Sequence, residues 1–234
     1  MLAIYKKELR SYFTTPLGYV FAAVFLAVSG VVFGMFTVRA RTSDVSTFCR
    51  MMILAYVVLL PLITMRCFSD ERRLRTDQLI MTSPVSVTAV VMAKFLSALT
   101  VFAGCTLLTS VYYVPLSKYG NTNLPRALGC LIAMLLVGMC FIAVGVFIST
   151  LTESQVAAAI GTMAVLLVLV MVSFFNGMIN SYPVRRVLSW LSVYSRFTNF
   201  TYGIFDYNAL LYYLSVCFVF LYLTVRVYER RRWA

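Results

Sequence analysis

The feature that most constrains this chain is a set of six long apolar runs, almost free of charge. They cover residues 17–36, 51–68, 89–114, 127–149, 156–179 and 207–226. A helix of about 20 residues, rising about 1.5 Å per residue, crosses the roughly 30 Å hydrocarbon layer of a bilayer. The runs therefore predict an all-α, polytopic membrane protein with six transmembrane helices in one domain over residues 1–234.

Composition supports the same class. Hydrophobic residues make up 62% of the chain and charged residues 12%, which leaves too little polar surface to cover a soluble fold of this size. The net charge of +12 comes from short basic clusters beside the apolar runs. That placement favours contact with anionic lipid headgroups, so the lipid bilayer is an expected partner and nucleic acid is not.

The first fifteen residues form an amphipathic pattern. Their aromatic and aliphatic members recur at helical spacing, with the basic residues on the other side: Tyr5, Leu9, Tyr12 and Phe13 against Lys6, Lys7 and Arg10. Pro16 ends the pattern. Residues 1–15 predict a helix lying in the membrane interface, with a frayed basic tail as the alternative. The run after it is too long for a signal peptide and predicts an uncleaved first span.

The distribution of Lys and Arg sets the expected orientation. Twelve of these residues flank the side that holds both termini, and eight flank the other side. The bias predicts that both termini face the cytoplasm. On the opposite side, residues 181–206 show helical spacing, and we expect a re-entrant or surface helix there.

The segment after the second run, FSDERRLRTDQLIMTSPVS, is densely charged. It predicts a short cytoplasmic helix over 69–83, with Ser69 as its N-cap and Asp70 and Glu71 near its positive end. Glu71 and Arg75 are spaced for an i,i+4 ion pair. Two interpretations stay open, a docking helix for a cytoplasmic partner and a solvated, salt-bridged turn.

Motifs of catalysis are missing from the sequence. It has no phosphate-binding loop, nucleophile elbow or HExxH motif, and no His. Its six cysteines show no CxxC spacing, which favours buried free thiols, so no metal site is expected. The acidic residues fall outside the apolar runs, which disfavours an ion-coupled carrier. Arg66 and Lys94 lie near span ends, from which we expect them to reach the headgroups.

Small residues and one proline mark positions inside the spans. Gly30 with Gly34, and Ala157 with Gly161, have the spacing that lets helices approach closely, either within the chain or between subunits. Pro61 is expected to kink the second span.

Three stretches together resemble the ABC type 2 permeases of the gliding-motility-type subfamily. They are the opening IYKKELRSYFTTPLGYVF, the segment PLITMRCFSDERRLRTDQLIMTSPVS followed by VVMAKF, and the closing YSRFTNFTYGIFDYNALLYYLSVCFVFLYLTVRVYERRRW. The second stretch is the most specific. It departs from the family pattern at Asp70, Arg75, Asp77 and Gln78, and Arg75 stands where the family usually has glycine.

The resemblance implies a half-transporter of six helices with an elbow helix over 1–15, a coupling helix over 69–83 and a second cytoplasmic contact over 149–155. The implied contacts with a separate ATP-binding subunit are Ser69, Asp70, Glu71, Arg72, Arg73, Arg75, Thr76, Thr152 and Glu153. The implied elbow residues are Tyr5, Lys6, Lys7, Glu8 and Arg10.

By this resemblance the chain is the permease subunit of a bacterial ABC exporter in the inner membrane and not itself an enzyme. Its partner binds the ATP, so the chain needs no cofactor of its own. A second permease subunit is expected, and a periplasmic accessory protein is a further candidate partner. The alternative is a membrane anchor or scaffold that recruits an ATPase to a motility or envelope assembly without transport.

Overall fold

The computed structural model describes residues 1–39, 45–73, 86–114, 124–175, 193–201 and 206–232. Its helices are α1 Leu2–Thr14, α2 Pro16–Phe33, α3 Val45–Thr64, α4 Arg66–Arg73, α5 Val87–Thr109, α6 Leu124–Leu151, α7 Gln155–Phe175, α8 Val193–Thr201 and α9 Tyr207–Arg232. A π-helical turn over Gly34–Val38 extends α2, and a 3₁₀ turn over Ser110–Tyr112 extends α5. No strand occurs in the described ranges, and the all-α prediction is confirmed.

Six of the described stretches are long and apolar enough to cross a membrane. They are Pro16–Val38, Val45–Arg73, Val87–Tyr112, Pro125–Leu151, Gln155–Ser173 and Tyr207–Arg230. The prediction of six transmembrane helices is therefore confirmed. The second stretch begins six residues earlier than predicted, at the start of α3. It ends five residues later than predicted, because α4 follows α3 after a break of one residue.

The six spans form an inner and an outer set. In the spans of α3, α5 and α6, the buried share of the apolar window is 61%, 61% and 67%, whereas in those of α2, α7 and α9 it is 22%. α6 is the central helix, in contact with α3, α5, α7, α8 and α9. The outer helices therefore leave most of their apolar surface to lipid or to another protein.

Two glycines of α6 allow the closest helix approaches in this core. A Cβ added at Gly145 would overlap the Thr64 side chain of α3, and one added at Gly138 would overlap the Phe102 ring of α5. The predicted small-residue positions pack less tightly. A Cβ at Gly30 would lie 3.5 Å from the Tyr112 hydroxyl, and one at Gly34 meets no described atom within 4 Å.

The third helix continues through its proline. Pro61 lies inside α3, and the regular helix stops four residues later at Met65, whose amide donates to the Pro61 carbonyl at 2.9 Å. The chain then resumes as α4 at Arg66. The interruption in this span therefore lies at Met65 and not at the proline.

The first and the last described residues lie at one end of the bundle, called here the terminal end. An even number of spans returns the chain to the side on which it began. The Phe68 ring of α4 packs on the Tyr228 ring near the end of α9, with centroids 5.3 Å apart, and Glu8 of α1 reaches Lys94 of α5. α1, α4 and the start of α5 therefore meet there.

Near the opposite end, α8 packs into the bundle. Phe197 and Phe200 are fully buried, and the Tyr213 hydroxyl of α9 donates to the Val193 carbonyl at 2.7 Å. Most of the segment 181–206 lies outside the described residues. Its re-entrant or surface character stays a prediction.

Candidate functional site

A serine from α6 holds the junction between α3 and α4. The Ser149 hydroxyl accepts hydrogen bonds from the amides of Phe68 at 3.1 Å and Ser69 at 3.2 Å, and it lies 3.3 Å from the Met65 carbonyl, to which it can donate. The amide of Phe68, the third residue of α4, has no partner within the helix, and the hydroxyl supplies its acceptor. α4 is thereby fixed to the centre of the bundle.

This arrangement corrects the predicted start of the charged helix. Ser69 is not an N-cap, because α4 begins at Arg66 and Ser69 lies buried in its interior, where its hydroxyl donates to the Met65 carbonyl. The cap-like acceptor comes from Ser149, eighty residues away in sequence. Asp70 and Glu71 therefore lie in the second half of α4 and not in its first turn.

An ion pair joins α4 to the turn between α6 and α7. Arg72 donates to the Glu153 carboxylate at 2.8 Å and to the Leu151 carbonyl at 3.1 Å. Gln155 donates to the Asp70 carboxylate. The exposed parts of Asp70–Arg73 and Leu151–Gln155 thus form one continuous surface, called here the junction surface.

The remaining predicted contact residues take different positions. Arg73 is exposed at the last residue of α4, and Asp70 lies 3.8 Å from the Arg66 guanidinium. The Thr152 hydroxyl donates back to the Ile148 carbonyl at 3.3 Å. Arg75 and Thr76 lie outside the described residues, and so does the predicted pairing of Arg75 with Glu71.

Behind the junction surface lies a buried group of three charges. Lys94 of α5 is 2% exposed, and its ammonium donates to Glu71 of α4 at 2.7 Å and to Glu8 of α1 at 3.2 Å. The ammonium also lies 5.1 Å from the centroid of the Phe68 ring. We call Glu8, Glu71 and Lys94 the charge triad, since together they join three helices.

The triad corrects the prediction that Lys94 reaches the lipid headgroups. A charge withdrawn from water needs opposite charges and hydrogen bonds close by, and Lys94 has both inside the protein. The side chains of Glu71 and Glu8 are 15% and 18% exposed. Glu71 is therefore part of the internal support of α4 and offers little of its charge to a partner.

The first helix is packed against the bundle along one side. The Tyr5 hydroxyl lies 2.9 Å from the Thr100 hydroxyl of α5, and the Tyr12 hydroxyl donates to the Ile63 carbonyl of α3 at 3.3 Å. Burial raises the pKa of Tyr12 well above its usual value, so the phenol stays neutral as a donor. The basic elbow residues, Lys6, Lys7 and Arg10, are exposed.

Serine and proline signals set the local helix boundaries here. Pro16 is the first residue of α2, so α1 ends at Thr14 as its pattern predicts. Ser154 precedes α7, and its hydroxyl accepts from the Ala157 amide at 3.5 Å, a long contact in N-cap geometry. The turn between α6 and α7 is therefore held at both of its sides.

No cluster suited to a metal ion occurs in the part of the chain that the structure describes. All six cysteines are buried free thiols. Among the described residues, the polar contacts of the terminal end include ion pairs and hydrogen bonds to helix backbone, an arrangement that suits mechanical support and protein contact.

Sequence reasoning missed the charge triad and Ser149. A lysine inside an apolar run signals a buried partner, but nothing in the sequence says that its partners lie 23 and 86 residues away. Ser149 carries no signal beyond being a serine near the end of a span.

Comparison with known families gives a match, and a comparison with curated proteins gives none. Residues 41–227, most of the chain and all of α3 to α8, match the family described as ABC-2 family transporter protein. This match agrees with the family resemblance of the sequence at the level of the ABC type 2 permeases. The chain therefore belongs to the ABC-2 family of transporter proteins and is a membrane-spanning subunit of an ABC transporter.

Proposed function

We propose that the chain is the permease subunit of an ATP-driven exporter of the gliding-motility type, and that the junction surface docks its separate ATP-binding subunit. Family membership supports a membrane-spanning subunit with an ATP-binding partner. The observation that carries the docking assignment is the joining of Asp70–Arg73 to Leu151–Gln155 through the Arg72–Glu153 pair. Two segments that the resemblance assigns to one partner form one surface.

The proposed orientation puts the terminal end in the cytoplasm of a bacterial cell, with the spans in the inner membrane. Arg72, Arg73 and the exposed Lys6, Lys7 and Arg10 all belong to this end. Positive charge near span ends favours the cytoplasmic side. The junction surface would then face the compartment that supplies ATP.

The proposed mechanism is a mechanical one. Closure of the ATP-binding subunits displaces α4, and the displacement reaches the spans through rigid contacts. Ser149 ties α4 to α6, Lys94 ties it to α5, and Glu8 brings α1 into the same unit. A helix held at these points transmits a push that a solvated turn would dissipate.

Hydrolysis itself belongs to the partner in this proposal, because the sequence has no phosphate-binding loop. A second permease subunit would cover part of the outward apolar surface of α2, α7 and α9, which are mostly unburied within one chain. Such a pair would enclose the path of the substrate.

Charge reversal at the junction surface tests the docking assignment. Arg73→Glu changes the exposed last residue of α4, and Arg230→Glu is the matched control, exposed on α9 at the same end. Because interfacial charge pairs steer and stabilise docking, we expect R73E to lower co-purification of the ATP-binding subunit and its stimulated ATPase about tenfold. Normal binding and stimulation by R73E would refute the assignment.

Transport and scaffolding are separated by reconstituting the complex in lipid vesicles. An exporter shows ATP turnover that changes with the substrate, whereas the scaffold alternative predicts turnover that does not. If the ATP-binding subunit docks normally but its ATP turnover never changes with substrate, the exporter assignment is wrong and the scaffold alternative is favoured.

A further inference from the structure

A groove of about 600 Å³ runs along the outer side of the bundle between α5, α6 and α9. Its floor includes Met92 of α5 and Met139 of α6. One face of α9 forms its wall, from Leu214 through Phe218 and Tyr222 to Arg226, and these four are at least 45% exposed. The groove therefore opens outward from the bundle.

The length of the groove matches one leaflet of a bilayer. From Leu214 to Arg226 the helix advances about 18 Å, close to half the thickness of a membrane of roughly 30 Å plus part of its headgroup layer. The lining is apolar along this path and becomes charged only at the terminal end. It thus has the depth and the polarity of a phospholipid lying with its headgroup at that end.

Near the terminal end, the groove carries one positive and one negative side chain, which follow each other along α9. Arg226 bonds the Tyr222 hydroxyl at 2.8 Å and lies 3.7 Å from the Glu229 carboxylate, and the side chains of Arg226 and Glu229 are 63% and 41% exposed. Arg226 lies nearer the membrane centre and Glu229 about 4.5 Å farther out along the helix. Both remain open to further contacts.

We propose that this groove binds a zwitterionic phospholipid with a primary ammonium, of the phosphatidylethanolamine type, from the leaflet on the terminal side. One acyl chain lies along Leu214, Phe218 and Val225. The phosphate contacts Arg226, and the ammonium, two carbons farther from the acyl chains, contacts Glu229. The order of the charges on α9 is the order of the charges in that headgroup.

Other headgroups fit less well for chemical reasons. An anionic headgroup without an ammonium can place its phosphate on Arg226, but it brings no cation to Glu229. A trimethylated ammonium has no N–H to donate to the carboxylate. The proposal concerns a lipid bound to the outside of the subunit and does not depend on the docking or transport assignments.

Native mass spectrometry of the purified full-length chain tests the proposal. The chain in detergent is mixed with phosphatidylethanolamine, phosphatidylcholine or phosphatidylglycerol of identical acyl chains, and bound lipid is counted. We expect phosphatidylethanolamine to be retained best. Because a charge-assisted contact contributes about one tenfold step in affinity, R226Q should lower its retention about tenfold. E229Q should remove the preference over phosphatidylglycerol.

A pair of tryptophan variants distinguishes lipid bound in the groove from lipid bound elsewhere on the outer surface of the bundle. L214W fills the groove, and L211W places the same ring on an exposed position of α9 outside it. We expect L214W to abolish retention and L211W to keep it. Equal retention of the three lipids by the unmodified chain, or equal retention by both tryptophan variants, overturns the proposal. Loss of a dimer mass in L214W, with no lipid bound to either form, assigns the groove to a second copy instead.

Discussion

Lys94 shows how one residue decides the architecture of the terminal end. Its ammonium is enclosed by Glu71 and Glu8, which belong to two other helices. Burying a charge is unfavourable, and pairing compensates for that cost only while all partners are present. The triad therefore specifies how α1, α4 and α5 meet, more than it adds net stability.

Replacing Lys94 by methionine tests this account. The change leaves two largely buried carboxylates with no cation between them, and removal of one member of a buried pair costs roughly 3 kcal/mol. We expect a clear fall in the unfolding temperature in detergent. Lys6→Met, also exposed on α1 but away from the triad, is the control and should change little. Similar unfolding temperatures for both variants would contradict the assigned role of the triad.

Gly138 and Gly145 of α6 have no room for a larger side chain. Gly138→Ala and Gly145→Ala each place a methyl group into Phe102 or Thr64, and overpacking of this kind costs about 1–3 kcal/mol. Gly104→Ala is the control, since a Cβ there meets no described atom within 4 Å. We expect the unfolding temperatures of the first two variants to be lower than that of the unmodified chain, and that of the control to be equal to it or higher.

Among the helices, α4 depends on a residue of another helix, Ser149 of α6. Ser149 accepts the amides of Phe68 and Ser69, so the beginning of α4 is completed by α6. A helix of eight residues is too short to be stable alone. Its rigidity comes from the bundle, and loosening it would weaken any coupling through it.

Ser149→Ala removes that acceptor. The Phe68 amide loses its acceptor, and we expect about 1–2 kcal/mol of lost local stability. Hydrogen exchange at the Phe68 amide should accelerate about tenfold while exchange in the middle of α6 is unchanged. Ser154→Ala, at the start of α7, controls for loss of a serine nearby. Unchanged protection of the Phe68 amide in S149A would show that the hydroxyl does not hold α4.

The elements differ in how far the sequence predicts them. The spans could be predicted because an uncharged run of twenty residues has few alternatives, and the end of α1 because Pro16 marks it. The start of α4 could not, because its acceptor is on another helix. Likewise the GxxxG spacing directs attention to Gly30 and Gly34, whereas the close approaches occur at Gly138 and Gly145.

The sequence could indicate which segments form the candidate site, but it could not predict which of their side chains contact each other. The charged pattern of 69–83 and the turn at 149–155 indicated where to look, through the family resemblance. That Arg72 and Glu153 bond each other across 81 residues of sequence depends on how α3 and α6 pack. Such contacts follow from the whole fold, and no local pattern contains them.

At the scale of the whole molecule, the orientation is open to direct test. The six native cysteines are buried, so cysteines introduced at exposed positions should react selectively. We expect Lys7→Cys and Arg230→Cys to react with a membrane-impermeant maleimide only in inside-out vesicles, and Arg39→Cys, at the other end of the first span, only in right-side-out ones. The reverse pattern would place the junction surface outside the cytoplasm.

We propose that α4 and the turn after α6 act together as one docking surface. The most direct measurement is the ATPase activity of the ATP-binding subunit, stimulated by the permease carrying R72E or the charge swap R72E/E153R. The Arg72–Glu153 pair predicts that R72E loses most of the stimulation and that the swap recovers a large part of it. Stimulation that R72E leaves intact, or that the swap fails to recover, would contradict the claim.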